Sequence, residues 1–321
     1  GKMISFPSVV GRKFISRLGG ALSGQEDFEV TLRFQNQDEE QSYFVGDAAM
    51  SAGGQRTWEE EAVKNRNLIV LVSTAIALLN TKDEPVDLAV GLPMSYYNTQ
   101  KNSIKDALEN LNLTCIVQDR VCQISVNSVF VFPQSAGVYY SAIHDIDGTI
   151  KNANLINKAV GIIDVGYRTA DILYIARAKK GLMPRDDLSG SHDLGMNEAH
   201  RFIQNEVSKI IKGNADILKI EKSLLWFNGD FEYKGNTISL RKIQDRAYEA
   251  HAQAITSWVK QTWGDEIFDL SAIIIGGGGG DSLFPYFKEN FETAMKVEKP
   301  EFANALGYLA AQALAMNIGK K

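Results

Sequence analysis

The stretch I-I-I-G-G-G-G-G-D-S-L-F-P-Y-F-K, residues 273–288, poses the first physical question of this chain. Three isoleucines read as a buried strand, and the segment from Ser282 onward reads as a helix. Between them stand five glycines, 276–280, although glycine loses more conformational freedom on folding than any other residue. Such a run lets the backbone approach a flat or anionic ligand with no side chain intervening. The helix that follows turns the positive end of its dipole toward the same place. The spacing is neither G-x-G-x-x-G with a later acidic residue nor G-x-x-x-x-G-K-[ST], so dinucleotide and P-loop readings are weak. A flexible linker is the plainer alternative, and the strand and helix on either side argue against it.

A second stretch, G-I-I-D-V-G-Y-R-T-A-D-I-L-Y-I, residues 161–175, has the same character. A buried strand over 159–164 ends in Asp164, a tight turn follows at Gly166 with Thr169 on it, and a second strand leaves over 171–176. Such a turn can aim several backbone N–H groups at one spot, making an anion nest. Asp164 is placed to face a hydrated magnesium ion on phosphates. An ordinary hairpin with a polar turn is the alternative. A third piece, F-P-Q-S-A-G at 132–137, puts Gln134 between a strand and a helix, where it could hold a water for attack on a phosphate. Taken alone, a polar helix-start residue explains Gln134 equally well.

The 321 residues suffice for two domains. No run of roughly 18 apolar residues occurs, so no membrane span is expected. Residues 1–11 do not read as a signal peptide. The net charge of −5 weighs against a large basic DNA-binding face. The two cysteines, Cys115 and Cys122, fall opposite each other in a hairpin that turns at Gln118-Asp119. Reduced thiols in a cytoplasmic protein are favoured there over a disulfide. His144, His192, His200 and His251 show no metal-site spacing, so no zinc is expected.

Hydrophobic periodicity supplies the rest of the frame. Strands are expected over 3–10 (broken by Pro7), 28–34 and 41–45, the last two as a hairpin, and over 86–91 as a short buried strand. Two or three strands are expected over 113–132, a small hairpin over 231–240 and a strand over 271–275. Helices are expected over 59–80, 99–111, 135–144, 194–211 (closed by Lys212-Gly213-Asn214), 215–225, 240–263 and 304–316. Hairpins mixed with strand–helix alternation, twice over, suggest two α/β domains with a cleft between them.

The three pieces, in this order, resemble the actin-like ATPase superfamily. D-V-G-Y-R-T at 164–169 resembles its second phosphate loop, and I-I-G-G-G at 274–278 its adenosine motif. Pro133-Gln134 and N-A-L-G at 304–307 are similar to its two connecting segments. F-P-S at 6–8, Y-F-V-G-D at 43–47, G-L-P at 91–93 and F-A-N-A-L-G-Y at 302–308 are most similar to the ParM (StbA) plasmid-segregation actins and related archaeal actin-like proteins. The resemblance implies an actin-like fold of class α/β, with two RNase H-like α/β domains flanking a nucleotide cleft. These would be residues 1–158 plus 303–321, and residues 159–302. It implies ATP or ADP with Mg²⁺. Asp164 would act on Mg²⁺ through water, and Gly166, Tyr167, Arg168 and Thr169 would wrap the β- and γ-phosphates. Gln134 would orient the attacking water, Gly277, Gly278 and Gly279 would pack against the adenosine, and Gly195 and Glu198 would approach the ribose.

One departure stands out. The family opens with a strand, a D-x-G-x-x-x-x-K phosphate loop and a second strand, and residues 1–10 resemble the segment that follows these. Either an upstream hairpin is missing from this sequence, which is the expectation because its loss would leave sheet edges unpaired, or half the phosphate clamp is absent and hydrolysis is in doubt. The function the resemblance implies is a cytoplasmic ATPase that assembles with itself into filaments and segregates plasmid DNA through a DNA-binding adaptor, without direct nucleic-acid or membrane contact. A small-molecule kinase of the same superfamily and a non-catalytic scaffold are the alternatives. The kinase would need an Asp base where this chain has Gln134.

Overall fold

The computed structural model describes residues 2–13, 28–35, 40–56, 61–80, 82–179 and 181–318. The chain runs β1 (Val9–Arg12), β2 (Phe28–Phe34), β3 (Gln41–Val45), α1 (Asp47–Ser51), β4 (Gln55–Arg56), α2 (Glu61–Leu79), β5 (Val86–Leu92) and α3 (Met94–Glu109). It continues β6 (Asn112–Val117), β7 (Arg120–Pro133), α4 (Gln134–Ile143), β8 (Val160–Val165), β9 (Ala170–Ala178), β10 (Gly181–Pro184), β11 (Gly190–His192), α5 (Met196–Ile211) and α6 (Ile217–Trp226). It ends β12 (Asp230–Tyr233), β13 (Asn236–Ser239), α7 (Arg241–Trp263), β14 (Ala272–Gly276), α8 (Gly278–Asn290), β15 (Ala294–Lys296) and α9 (Ala303–Ile318). Among the described residues no helix is long and apolar enough to cross a membrane.

Contacts divide the chain into two compact units, residues 1–88 with 102–129, and residues 89–101 with 130–321. This division differs from the domain limits expected from the sequence. The chain crosses from one unit to the other inside β5, α3 and β7, and α4 and α9 side with the second unit because they pack on its sheet.

The first unit is built on a sheet in the order β4-β1-β3-β2-β6-β7-β5. Its strands alternate as half-buried strands must: Val30 and Leu32 on β2, Leu113, Cys115 and Val117 on β6, and Cys122 and Ile124 on β7 turn inward. Helix α2 covers that face with Val70 and Ala77, which lie two turns apart on one helical stripe. β6 and β7 are joined at Gln118 and Asp119, both with positive φ (49° and 61°), the conformation a two-residue hairpin turn requires. That turn sets Cys115 directly opposite Cys122, and both are free and buried.

The second unit holds a sheet in the order β10-β9-β8-β14-β15, with β11 also on β9. β8 runs antiparallel to β9 and parallel to β14. All six residues of β8 and all five of β14 are buried, because helices cover both faces. Alternation decides which side chain meets which helix. Ile162, Leu173 and Ile274 pack with Val138 and Ile143 of α4 and Ala303 of α9. Ile163, Ile172, Ile273 and Ile275 pack with Ile203 of α5, Ile255 of α7 and Leu283 of α8.

The α4–α9 contact is made backbone to backbone. A Cβ placed on Gly307 would lie 1.8 Å from the Gly137 carbonyl oxygen, and one on Gly137 would lie 2.6 Å from the Asn304 Cα. Neither helix can retreat without pulling Val138 or Ala303 out of the core.

Several elements depart from the sequence expectation for identifiable reasons. α3 begins at Met94, five residues before the expected start, because the Pro93 carbonyl already accepts the N–H groups of Tyr96 and Tyr97, both at 3.0 Å. The strand expected over 3–10 occupies Val9–Arg12 instead, beyond Pro7. β5 is half-buried rather than buried. The residue that closes α5 in the left-handed conformation is Lys212 (φ 49°), not the adjacent glycine. Most consequentially, α8 starts at Gly278, so three of the five glycines form its first turn.

Two outcomes test this packing. Gly307→Ala should destabilise the chain by about 1–3 kcal/mol in urea unfolding, and an unchanged midpoint would contradict the backbone contact. Burial pushes the Cys115 thiol up to about 12 and the Cys122 thiol up to about 11. Both should therefore resist iodoacetamide at pH 8 in the folded chain and react once it is unfolded, as mass spectrometry would read.

Candidate functional site

β8 and β14 end level with each other, with Asp164 paired to Gly276 in the register. The two glycine-bearing turns noted in the sequence therefore leave the same end of the same sheet, side by side.

The turn after β8 is Gly166–Thr169, closed by the Gly166 N–H donating to the Thr169 carbonyl at 2.9 Å. Its other carbonyls are taken by the start of α5. Met196 N–H donates to Gly166 O (3.0 Å), Asn197 N–H to Tyr167 O (2.9 Å) and Gly195 N–H to Arg168 O (2.9 Å). In a trans peptide the N–H points opposite to the C=O of the same plane. Three carbonyls turned toward α5 thus turn the amides of Tyr167, Arg168 and Thr169 away from it, as three successive donors on the open side of the loop. That is the arrangement of an anion nest.

The turn after β14 adds a helix start. Gly277 has φ 81°, and a Cβ there would lie 2.4 Å from both Asp164 Oδ1 and the Val165 carbonyl, so only glycine fits. Its N–H donates to Pro300 O at 3.0 Å. Gly278 faces open space, while Gly279 lies against Met196 at the start of α5. The N–H groups of a helix's first turn have no carbonyl one turn back, so Gly278 and Gly279 present donors and the positive end of α8.

Between these turns lies a pair of buried carboxylates. Asp164 and Asp171 are directly opposed across β8 and β9, and each is 1% exposed. By strand alternation both face the α4–α9 side. Asp164 Oδ2 accepts from Asn304 Nδ2 of α9 at 2.8 Å, and its Oδ1 has no partner. The side chain of Ser191 and the backbone N–H of Met94, the first residue of α3, act on Asp171, and its Oδ1 is likewise unpartnered. Burial pushes the Asp164 carboxyl up to about 6 despite the hydrogen bond from Asn304. Burial, with the charge of Asp164 added, pushes Asp171 up to about 7. Close by, the Tyr308 hydroxyl donates to Gln134 O at 3.2 Å, and its ring stacks on Phe132 with centroids 5.2 Å apart. Burial and the charges of the same two aspartates raise that hydroxyl well above the ordinary phenol range.

The sequence-derived candidates are distributed as follows. Asp164, Gly166, Tyr167, Arg168, Thr169, Gly195, Gly277, Gly278 and Gly279 converge on the two turns and on the start of α5. Gln134 is the first residue of α4, half-buried, with its backbone tied to Tyr308. Three side chains are engaged elsewhere. Tyr167 turns its ring back toward α5 and α6, Arg168 lies 3.6 Å from Asp193 and over the Tyr96 ring, and Glu198 pairs with Arg201 at the exposed face of α5. Tyr167 and Arg168 therefore offer the loop their backbone amides. Asp171, Asn304 and Tyr308 were not among the candidates. Asp171 was within reach of hairpin counting, since a turn over Gly166–Thr169 pairs Val165 with Ala170 and Asp164 with Asp171. Asn304 and Tyr308 lie one helical turn apart, but nothing in the sequence tells which face of α9 meets the sheet.

A divalent cation fits this chemistry. Two buried carboxylates with an unpartnered oxygen each are unstable as a charged pair unless a positive charge lies close, and hard oxygen donors suit Mg²⁺. An anion fits the donors beside them.

The comparisons with known proteins agree with this geometry. The family described as "Actin like proteins N terminal domain" matches residues 1–137, and "Archaeal actin homologue MreB-like, C-terminal" matches residues 162–289. Among solved structures, a non-polymerisable quadruple mutant of the pCBH ParM is 25% identical, with a TM-score of 0.80 over 96% of this chain and 92% of that one. ParM from a 15-stranded Clostridium botulinum filament is 23% identical, with a TM-score of 0.79 over 97% and 92%. An archaeal actin homologue in complex with ADP is 20% identical, with a TM-score of 0.73 over 97% and 93%. The search of curated proteins found no match. The chain has the actin-like α/β fold and belongs to the actin-like ATPase superfamily. Within it, the likeness is to the ParM type.

The aspartate pair makes stability depend on pH with a definite sign. Unfolded, both carboxyls titrate near ~3.9; folded, they titrate at about 6 and about 7. Between those limits the folded chain holds protons that the unfolded chain has released, so stability falls as pH rises from about 4 to about 7. Asp171→Asn should raise the melting temperature at pH 8 relative to the parent and change it little at pH 4. Thermal melts showing the same difference at both pH values would contradict the assignment.

Proposed function

We propose that the chain binds ATP and ADP with Mg²⁺ at these turns, hydrolyses ATP, and uses the cycle to assemble and dismantle filaments that segregate or position plasmid DNA through an adaptor in the cytoplasm. The observation that carries the reading is the register of Asp164 beside Gly276, which joins an anion nest, a helix start and a buried carboxylate pair at one sheet end.

In this reading the amides of Tyr167, Arg168 and Thr169, with the Thr169 side chain, hold the β- and γ-phosphates. Asp164 holds Mg²⁺ through water, and the ion, when bound, supplies charge that offsets the phosphates. Gly277, Gly278 and Gly279 lie along the adenosine, and Gly195 and Glu198 approach the ribose. Gln134 orients the attacking water, its backbone fixed by Tyr308. The charge of the ion would offset the cost of burying Asp164 and Asp171 as unpartnered carboxylates, so loading would favour their deprotonation. Filament assembly is supported by the likeness to filament-forming and polymerisation-blocked ParM structures. The net charge of −5 supports DNA contact through an adaptor rather than directly.

Right-angle light scattering with Mg-ATP, Mg-ADP and no nucleotide, with phosphate release followed in the same sample, tests this reading. Scattering should rise with Mg-ATP and decay as phosphate appears, and Asp164→Ala should lower the phosphate release rate by at least about 10²-fold. Phosphate released only when a small acceptor is added, with no rise in scattering, would replace the filament reading with that of a kinase.

A further inference from the structure

Within the 166–169 turn, Tyr167 directs its side chain back toward α5 and α6. Its hydroxyl donates to Glu221 Oε1 of α6, a carboxylate 1% exposed to solvent. The same oxygen lies 3.4 Å from Nδ1 of the buried His200 on α5. The Tyr167 ring meets the His200 imidazole edge to face, with centroids 5.9 Å apart, and Tyr248 of α7 backs the imidazole at 6.5 Å. The phenol is thus gripped by α5 and α6 on the side of the loop opposite its amides.

A carboxylate this deeply buried is costly unless its oxygens accept hydrogen bonds, so the Tyr167–Glu221 contact resists being broken from both ends. A two-residue tether of that kind limits rotation of the peptide planes on either side of Tyr167. Those planes carry the amides of Tyr167 and Arg168. The α5 hydrogen bonds fix the carbonyls, and the phenol fixes the loop's distance from α6. Neither Glu221 nor His200 has a role in the nucleotide reading of the site.

We infer that Glu221, acting through the Tyr167 hydroxyl, is a positioning residue that presets the 166–169 turn for the phosphates of a nucleoside diphosphate or triphosphate. The pair touches no ligand itself. It fixes the direction of donors that do, and it requires at position 221 a hydrogen-bond acceptor rather than a negative charge. This inference rests on the nucleotide reading of the site.

Calorimetric titration of the full chain with Mg-ADP tests it, alongside melting temperatures without nucleotide. Tyr167→Phe and Glu221→Leu should each weaken ADP binding about tenfold, the double variant should be no weaker than the worse single, and Glu221→Gln, which keeps an acceptor, should stay within about threefold of the parent. Tyr167→Phe should still melt cooperatively, so its loss of affinity cannot be ascribed to unfolding. If the parent binds ADP and Tyr167→Phe binds it equally well, the positioning role is wrong while the site reading stands. If Glu221→Gln is as weak as Glu221→Leu, the charge matters rather than the acceptor, and the inference fails in that form. If the parent chain binds no ADP, the site reading and this inference fall together.

Discussion

Three hydrogen bonds hold this site together: those from the N–H groups of Gly195, Met196 and Asn197 to the carbonyls of Arg168, Gly166 and Tyr167. They resolve two needs at once. A helix start has N–H groups without partners, and a tight turn has carbonyls without partners. By satisfying each other they dock α5 onto the turn and force the turn's own amides outward. The start of α5 is therefore occupied by the protein, and the outward-facing donors are those of the loop and of the start of α8. Each bond is worth about 1 kcal/mol, but the three act in concert on one short segment, so the loop's direction is better determined than any one of them would make it.

The second constraint is electrostatic. Asp164 and Asp171 face each other where burial and mutual repulsion both favour the protonated forms. A protein selected only for stability would place an apolar pair there, as it does two rungs further from the turn on the same face, where Ile162 faces Leu173 in the core. The carboxylates are kept where the strands end, next to Asn304 and the first residue of α3. The arrangement puts stability and ligand binding in opposition, because the charged form that would hold a cation is the one the empty fold disfavours. The α4–α9 crossing supports this end of the sheet. Gly137 and Gly307 let the helices touch, and that approach brings Asn304 to Asp164 and Tyr308 to Gln134.

Much of this was legible in the sequence, for reasons that can be stated. β2, β3 and the hairpins at Gln118-Asp119 and Lys234-Gly235 were readable because strand alternation and turn residues are local signals. The two glycine turns announced themselves because five glycines, and Asp-x-Gly after a buried strand, are expensive without a purpose. The start of α8 was misread because glycine's low helix propensity argues against helix at 278–280. There, the requirement for a small residue at Gly279, against Met196, overrides propensity. The opposition of Asp171 to Asp164 was available to counting but not to composition. The outward turn of the loop amides, the Tyr167–Glu221 contact and the facing of Asn304 depend on tertiary packing, which periodicity does not encode.

The central claim is that one sheet end, with its two turns, is a nucleotide phosphate site. Hydrogen–deuterium exchange of the full chain with and without Mg-ADP tests it at the level of individual segments. The account predicts that added protection concentrates in residues 166–169 and 276–280, with β12 and β13 unchanged. Protection confined to other segments, or none at saturating ADP, would contradict it.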